Sequence, residues 1–353
     1  MTYSVHQHWD PLKVMAVGTS YPPELYDYIK NEKVRKVFYK IAEETEEDYQ
    51  KLTNLLQSFG VEVFRMPVDS LMEQAKQSIK NNKPINAPYT MQPRDQSIMI
   101  GDSFYCNTDL QYKPLRDKVA EQGNIVKSAR DYDIGFKWQN MDNYLNGAQI
   151  SRLGKDLYIG SLEKVPSNKR EEVNIVQNKL REEFPEHRLT FVDTDGHADG
   201  SFCPVVPGLI VSISGPFNYK KTFPDWEIVY LAGESWSKVY PFLQLKQKNY
   251  GKWWVPGEEL NDDFTDYVET WMNKWVGYVE ESVFDVNMIV VDKKNVIVNG
   301  YNQKAFDAFS RHGVTPHICN FRHRFFWDGG LHCITSDLHR EGVKEDYFPE
   351  RSQ

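Results

Sequence analysis

Cysteine is scarce in this chain of 353 residues, which contains only Cys106, Cys203, Cys319 and Cys333. These four residues lie far apart and form no CxxC pair, so the sequence predicts neither a disulfide framework nor a structural zinc site. Few and unpaired cysteines are typical of a reducing compartment. We therefore expect a cytoplasmic protein.

Long hydrophobic runs and blocks of basic residues are absent as well. No apolar stretch is long enough to cross a bilayer, and residues 1–8 lack the basic-then-apolar order of a secretory signal. The 42 basic and 50 acidic residues are mixed along the chain and give a formal net charge of -8, which argues against a nucleic-acid partner. No low-complexity linker divides the chain, so we predict one domain over residues 1–353 and no membrane partner.

What the chain does contain is a recurring order of short elements: strand, tight turn, strand, helix, strand. It is clearest near the C-terminus, where strands at 288–291 and 296–298 flank a turn. An amphipathic helix follows at about 302–311 and ends at Gly313, and residues 314–319 form the third strand. This order defines one module of the predicted fold.

Three other segments repeat the order. One has strands at 150–153 and 157–159, a helix capped by Ser167 and a strand at 189–192. The remaining two are placed by shorter patterns, namely strands at 97–100 and 104–106 with a helix at 115–121, and strands at 205–206 and 209–211.

The fifth module requires both ends of the chain. A strand at 13–17, a helical region at about 24–57 and a strand at 61–64 are expected to join a C-terminal strand near Cys333, which removes an exposed sheet edge. Five such units predict an α/β fold arranged as a ring around a central cavity. Polar residues that precede each hairpin would converge there; an ordinary α/β sandwich is the alternative.

Cys333 is the best candidate for a catalytic nucleophile, because it follows Gly329 and Gly330 and is separated from the other thiols. His197, in a second polar segment between glycines, is its predicted partner in an activated thiolate. Asp95 and Asp199 also precede predicted hairpins. Two carboxylates can hold a planar guanidinium by charge-assisted hydrogen bonds while a thiolate approaches its central carbon. Guanidine-group chemistry is the predicted function.

On these residues the chain resembles the guanidino-group-modifying superfamily, and most closely the glycine (arginine) amidinotransferases. Three motifs carry the resemblance: Met-x-Pro-Arg-Asp ending at Asp95, His197-x-Asp199, and Gly-Gly-x-His-Cys-x-Thr ending at Thr335. Residues 152–156 and 286–292 look like the family's corresponding strands, so the resemblance runs through most of the chain. It implies a five-bladed, pseudo-symmetric α/β propeller of ββαβ modules around a central active site.

The resemblance also implies a covalent transfer. Cys333 attacks the guanidinium carbon of L-arginine, and His197 protonates the departing amine, which releases ornithine and leaves an amidino-cysteine. An acceptor amine, glycine or a related primary amine, is then deprotonated by His197 and takes the amidino group. This chemistry requires no cofactor and no metal, and the spacing of the histidines near Cys333 matches no familiar zinc pattern. Family members are often dimers, which favours a homodimer.

Six residues are predicted to bind substrate or to shape the site around it: Asp95, Asp199, Asn146, Arg94, His332 and Asn287. Asn146 and Gln149 stand where related enzymes carry acidic residues, and an amide keeps a carbonyl acceptor but loses the charge. Asp142 and Asp193 are candidates to compensate.

Residues 212–219 lack the arginine that binds a substrate carboxylate in related amidinotransferases, and Lys220 or Lys221 could take its role. These departures keep two alternatives open. One is an arginine deiminase-like hydrolase that gives citrulline, and the other is a catalytically impaired ligand-binding homologue.

Other conspicuous residues are predicted to be structural. The acidic run at 43–48 is expected to be a solvated helix face. Cys106, Cys203 and Cys319 are expected to behave as small core residues. The tryptophans are assigned to the core, among them Trp253, Trp254, Trp271 and Trp275.

Overall fold

Five three-stranded sheets with one common topology form the framework of the protein. The computed structural model describes residues 2–83, 85, 91–138, 141–143, 145–161, 167–194, 197–213, 219–231, 253–272 and 285–351, by backbone alone at Ser70, 134–138, 141–143, Ser161 and Asp193. The strands are β1 (Leu12–Val17), β2 (Glu62–Arg65), β3 (Ser97–Ile100), β4 (Ser103–Cys106), β5 (Ile125–Ser128), β6 (Asp133–Trp138), β7 (Met141–Asn143), β8 (Ile150–Leu153), β9 (Asp156–Ser161), β10 (Arg188–Asp193), β11 (Phe202–Val206), β12 (Leu209–Ser212), β13 (Glu227–Tyr230), β14 (Ile289–Asp292), β15 (Asn295–Val298), β16 (Thr315–Ile318) and β17 (Thr335–Arg340). The helices are α1 (Glu32–Ser58), α2 (Asp69–Lys80), α3 (Lys113–Ala120), α4 (Arg170–Glu183), α5 (Tyr219–Thr222), α6 (Asp262–Trp271), α7 (Gln303–Arg311) and α8 (Arg324–Trp327).

Each of the five sheets combines an antiparallel hairpin with a parallel third strand. The orders are β3-β4-β5, β8-β9-β10, β11-β12-β13, β14-β15-β16 and β17-β1-β2. A helix (α3, α4, α5, α7 or α1, in the same order) connects the second strand of each sheet to the third, as a parallel crossover requires. The architecture confirms the predicted five-module α/β propeller.

The chain termini close the ring. Strand β17 pairs antiparallel with β1, with Thr335 opposite Val17 and Asp337 opposite Met15, and β1 pairs parallel with β2. Residues from the two ends of the chain therefore share one sheet, as predicted. The closure also fixes the segment that carries Cys333, because that segment leads directly into β17.

Turn glycines account for much of the local agreement between sequence and structure. Gly154, between β8 and β9, has φ +64, and a Cβ at this position would lie 2.0 Å from the carbonyl oxygen of Glu345. Gly313 has φ +69 and follows α7, whose N-cap Asn302 accepts a hydrogen bond from the backbone N–H of Ala305.

Two expectations about helices are corrected. The region at 24–57 is divided into a 3-10 helix at Pro23–Tyr28 and α1, because Asn31 takes an extended conformation and caps α1 by accepting from the N–H groups of Lys33 and Val34. Ser167 does not cap α4. It begins a 3-10 turn, and α4 starts only after Lys169, which makes no capping hydrogen bond with its side chain.

The acidic run on α1 is not simply a solvated face. Glu43, Glu46 and Glu47 are exposed, but Thr45 and Asp48 are buried. The reason is long-range packing, because the segment before Cys333 lies against this part of the helix. Residues 43–48 therefore contribute to the interior as well as to the surface.

Apolar side chains from the helices and sheets form four buried clusters, the largest of which joins α1 to β1 and to residues of the C-terminal segment. Trp253 is fully buried, and Trp254 and Trp271 are partly buried, whereas Trp275 lies outside the described residues. Within the described ranges, no helix combines the length and the apolar character needed to cross a membrane.

Candidate active site

Each of the five modules contributes a polar side chain from the segment just before its first strand. Asp95 lies in the 3-10 turn before β3, Asn146 before β8, Asp199 in the 3-10 turn before β11, Asn287 before β14 and Cys333 before β17. Backbone contacts join neighbouring segments: the N–H of Asp199 donates to Ala148, and the N–H of Gly147 donates to Arg94. The convergence at the centre of the ring was predicted.

Cys333 is buried within this cluster, with 7% of the residue exposed. Its Sγ accepts from Asn287 Nδ2 at 3.0 Å and donates to Asp199 Oδ2 at 3.5 Å. Burial, together with the charges of Asp199 and Asp95, raises the pKa of the thiol well above its ordinary value of 9.0. Burial and the two carboxylates therefore favour the thiol form of Cys333 at neutral pH.

Asp95 and His197 form a weak pair beside the thiol. Asp95 Oδ1 lies 3.9 Å from His197 Nδ1, and 27% of the His197 side chain is exposed. Burial raises the pKa of Asp95 from 3.8 to about 6, although the nearby imidazole opposes this shift. Asp95 can thus change its charge in the range where a histidine also titrates.

Asp199 and His332 form a tighter pair. His332 Nδ1 lies 2.8 Å from Asp199 Oδ2, the same oxygen that Cys333 contacts. Burial opposes ionisation of Asp199, but the hydrogen bond from His332 and the charge of His197 leave its pKa below the ordinary value. Burial and Arg94 lower the pKa of His332, which favours the neutral imidazole, and a proton on Nδ1 lets this ring donate to the Asp199 carboxylate.

The second oxygen of Asp199 and one oxygen of Asp95 are buried and have no hydrogen-bond donor among the described residues. A buried carboxylate oxygen without a donor is costly, so such atoms are normally paired. Both carboxylates act electrostatically on the Cys333 thiol, and the N–H groups of a planar cation are the kind of donor that both oxygens lack. This pair of unfilled acceptors is the main chemical feature of the site.

Asn287 binds the nucleophile, although the sequence predicted that it binds substrate. Its Oδ1 accepts from the backbone N–H groups of His332 (2.8 Å) and Cys333 (3.1 Å), and its Nδ2 reaches the sulfur. Gly330 makes this approach possible, because a Cβ there would lie 2.6 Å from Asn287 Oδ1. The side chain of Asn287 is thus committed to the Cys333 turn.

Gln92 holds the same turn from the other side, and sequence reasoning missed it. Its Nε2 donates to the carbonyl oxygens of Trp327 (3.0 Å) and Asp328 (2.7 Å). Asp328 has φ +53, and a Cβ on Gly329 would lie 2.7 Å from Gln92 Nε2. The only signal in the sequence is the position of Gln92, three residues before Asp95.

Arg94 points into a buried ion cluster, a placement that does not match the predicted contact with substrate. Its Nη1 donates to Asp337 Oδ1 at 2.6 Å, and its Nε donates to the carbonyl oxygen of Thr335 at 2.9 Å. Arg152 and Arg340 bind the same carboxylate. Arg94 therefore supports the site from beneath and contributes positive charge near Asp199.

The two amides that replace acidic residues differ in their surroundings. Asn146 Oδ1 accepts from the N–H groups of Ala148 (3.0 Å) and Gln149 (2.9 Å), which stabilises the turn before β8. Gln149 is buried, and neither polar atom of its side chain has a hydrogen-bond partner among the described residues.

Of the candidates for compensation, only Lys220 and Lys221 have described side chains. The side chains of Asp142 and Asp193 and residues 214–218 lie outside the described part of the structure, and Lys220 and Lys221 are exposed on α5. Within the described part of the chain, no three His, Cys, Asp or Glu side chains are grouped so that they could hold a metal ion.

No family model matches the chain. L-arginine:L-lysine amidinotransferase of Pseudomonas savastanoi pv. phaseolicola is 22% identical, over 74% of this chain and 69% of its own length. Mitochondrial glycine amidinotransferase of Gallus gallus is 22% identical, over 97% of this chain and 84% of its own length. The solved structure of inosamine-phosphate amidinotransferase from Streptomyces griseus has a TM-score of 0.63 and 18% identity, and it covers 98% of this chain and 99% of its own.

These similarities confirm two predictions. The relatives in sequence are amidinotransferases, as the three motifs indicated, and the solved structure shares the propeller fold. The relatives support amidino transfer as the general activity of the chain.

Proposed function

We propose that this relative of the amidinotransferases moves the amidino group of L-arginine to an acceptor amine, glycine or a related primary amine, through a covalent intermediate on Cys333. The observation that carries the proposal is the pair of buried carboxylate oxygens, on Asp95 and Asp199, that lack donors beside the thiol. A guanidinium supplies both the missing N–H groups and the missing positive charge.

Binding of the cation prepares the nucleophile. The two carboxylates that hold the guanidinium are the same groups that raise the pKa of Cys333. A positive charge between them opposes that effect, so the thiol ionises when substrate is present and its proton passes to His197. Deprotonation is thereby coupled to binding.

The first half-reaction forms a carbon–sulfur bond. The Cys333 thiolate adds to the guanidinium carbon, and the bond from that carbon to the side-chain nitrogen of arginine breaks. His197 returns its proton to this nitrogen, so that ornithine leaves and an amidino-cysteine remains.

The second half-reaction runs the same steps in reverse with another amine. His197 takes a proton from the acceptor amine, whose nitrogen adds to the amidino carbon. The carbon–sulfur bond then breaks, and His197 returns the proton to Cys333. A deiminase-type hydrolase would break a different bond: the first adduct expels ammonia, the ornithine portion stays attached through carbon to sulfur, and water then releases citrulline. Loss of ornithine rather than ammonia therefore separates transferase from hydrolase, and exclusion of water protects the amidino-cysteine from hydrolysis to urea.

Contacts in the structure support the residue roles in this proposal. Cys333 and His197 carry out the chemistry, Asp95 and Asp199 bind the cation, and His332 orients Asp199. A substrate contact for Asn146, a cytoplasmic location and a homodimer remain predictions from sequence and belong to this proposal.

One assay tests the proposal. The protein is incubated with arginine and a panel of primary amines that includes glycine and lysine, and the products are separated by mass spectrometry. Ornithine together with a new guanidino compound supports the transferase. Citrulline as the only product identifies the hydrolase, and arginine binding without any product identifies an impaired homologue.

A further inference from the structure

Asn287 has a placement that sequence reasoning did not anticipate, because it is the only amide among the described residues that contacts the nucleophilic sulfur. The residue is 1% exposed, so water does not compete for its hydrogen bonds. Its Nδ2 lies 3.0 Å from Cys333 Sγ, which is shorter than the 3.5 Å contact of the sulfur with Asp199. The donor contact is therefore the closer of the two.

The orientation of the amide follows from its neighbours. Asn287 Oδ1 accepts from two backbone N–H groups, those of His332 (2.8 Å) and Cys333 (3.1 Å). An NH2 group in that position would place donors against donors, so the oxygen must face the backbone and the nitrogen must face the sulfur. The second hydrogen on Nδ2 is directed to the carbonyl oxygen of Asp199 at 3.3 Å.

The backbone of Asn287 is fixed as well. Its carbonyl oxygen accepts from Asn299 Nδ2 at 2.9 Å, within the same module. Gly330 leaves the space that the side chain occupies, since a Cβ there would lie 2.9 Å from Asn287 Cβ. The amide is thus held on three sides before any substrate arrives.

We propose that Asn287 is a catalytic residue that orients the Cys333 sulfur and stabilises its thiolate through an N–H···S hydrogen bond. A neutral amide donor gains strength when its acceptor becomes an anion, and it does so without the repulsion that a cationic donor would exert on a guanidinium. The catalytic meaning of this role rests on the proposed transfer reaction, but the hydrogen bond itself can be tested without arginine.

Asn287→Asp isolates the sulfur contact, because the acid keeps an oxygen for the two backbone N–H groups but loses the donor and adds negative charge. Below the pKa of the thiol, alkylation by iodoacetamide is proportional to the thiolate fraction. We expect the rate at Cys333, followed by peptide mass spectrometry between pH 7 and 9, to fall roughly tenfold or more. Asn287→Ser, which removes the donor without adding charge, should lower the rate by a smaller factor.

Neither substitution replaces a titratable or charged group around the thiol. These groups are Asp95, Asp199, His197, His332 and Arg94. Asn299→Asp is the matched control, because it makes the same chemical change one contact further from the sulfur. In Asn299→Asp, the logarithm of the alkylation rate at Cys333 should change by less than half as much as it does in Asn287→Asp. Far-UV circular dichroism identifies the variants that are folded.

The inference is overturned if folded Asn287→Asp and Asn287→Ser proteins are alkylated at the rate of the unchanged protein, or if Asn299→Asp has an equal effect. Failure of the transfer reaction would look different. In that case the alkylation rates would follow the prediction, while arginine would give no amidino product with any amine.

Discussion

Asp95 and Asp199 lie beside the same thiol, yet their surroundings move their pKa values in opposite directions. Burial raises the pKa of Asp95 to about 6. Burial also disfavours the ionised form of Asp199. The hydrogen bond from His332 and the nearby positive charges outweigh this effect and lower the pKa of Asp199. One carboxylate is therefore ionised throughout the neutral range, and the other keeps its charge at an energetic cost.

That cost predicts that Asp95→Asn stabilises the folded protein while it removes activity. The pKa of the folded state, about 6, lies above the ordinary 3.8, so this group favours folding below pH 3.8 and loses that contribution as the pH rises through 6. At pH 8 the variant should be more stable by up to roughly 3 kcal/mol, and near pH 4 the gain should vanish.

Thermal unfolding at both pH values measures the difference, with Asp307→Asn, an exposed change on α7, as the control. Equal destabilisation by Asp95→Asn at pH 4 and pH 8 would show that the carboxylate is not strained in the folded state.

At the scale of secondary-structure elements, α1 positions the segment that leads to Cys333. Asp48 accepts from the backbone N–H of Arg322 at 2.8 Å and from its Nε at 2.9 Å, and Thr45 Oγ1 accepts from the indole N–H of Trp327 at 2.8 Å. His323 lies 2.7 Å from Glu44 Oε2. The helix of the module that closes the ring thus supports the segment leading to Cys333.

Asp48→Asn should lower the free energy of unfolding by about 2 kcal/mol, because a buried carboxylate that binds a guanidinium and an N–H group is replaced by a weaker acceptor. The same change should slow alkylation of Cys333, since the turn loses part of its support. Urea unfolding checks the first effect. Glu43→Gln, on the exposed side of α1, should change neither quantity, and equal effects of the two substitutions would contradict the assignment.

Local elements could be predicted from the sequence, whereas contacts between distant segments could not. Hairpins at β8–β9 and β14–β15 were predicted within one or two residues, because short apolar runs around turn residues are local signals. The burial of Asp48 was not predictable, since it depends on Arg322, which is distant in sequence. Gln92 was missed for the same reason, as its two carbonyl acceptors belong to residues 327 and 328.

At the scale of the whole molecule, one buried carboxylate joins three modules. Asp337 on β17 binds Arg94, which precedes β3, Arg152 on β8 and Arg340 at the end of β17. All four side chains are almost fully buried. The repeated strand pattern predicted the ring, but it gave no sign of this cluster, because the partners come from separate segments with no local signature.

Asp337→Asn should destabilise the protein by about 3–5 kcal/mol, since it leaves buried guanidinium groups without their counter-charge. The arginines hold the pKa of Asp337 well below 3.8, so the cluster stabilises the fold above that pH and loses its effect only in stronger acid. Urea unfolding at pH 7 is the measurement.

Asp117→Asn, which breaks the exposed pair of Lys113 and Asp117, is the control and should cost less than about 1 kcal/mol. An equal decrease in the free energy of unfolding in the two variants would mean that the buried ion cluster does not stabilise the closed ring.

If Cys333 carries the amidino group, the intact mass of the protein should change on incubation with arginine alone. We expect a mass increase of one amidino group, located on Cys333 by peptide mapping, with ornithine released. Cys333→Ser should show neither, whereas Cys319→Ala, a change at a buried thiol after β16, should show both. Ornithine formation by Cys333→Ser, or an adduct on any other residue, would show that Cys333 is not the nucleophile.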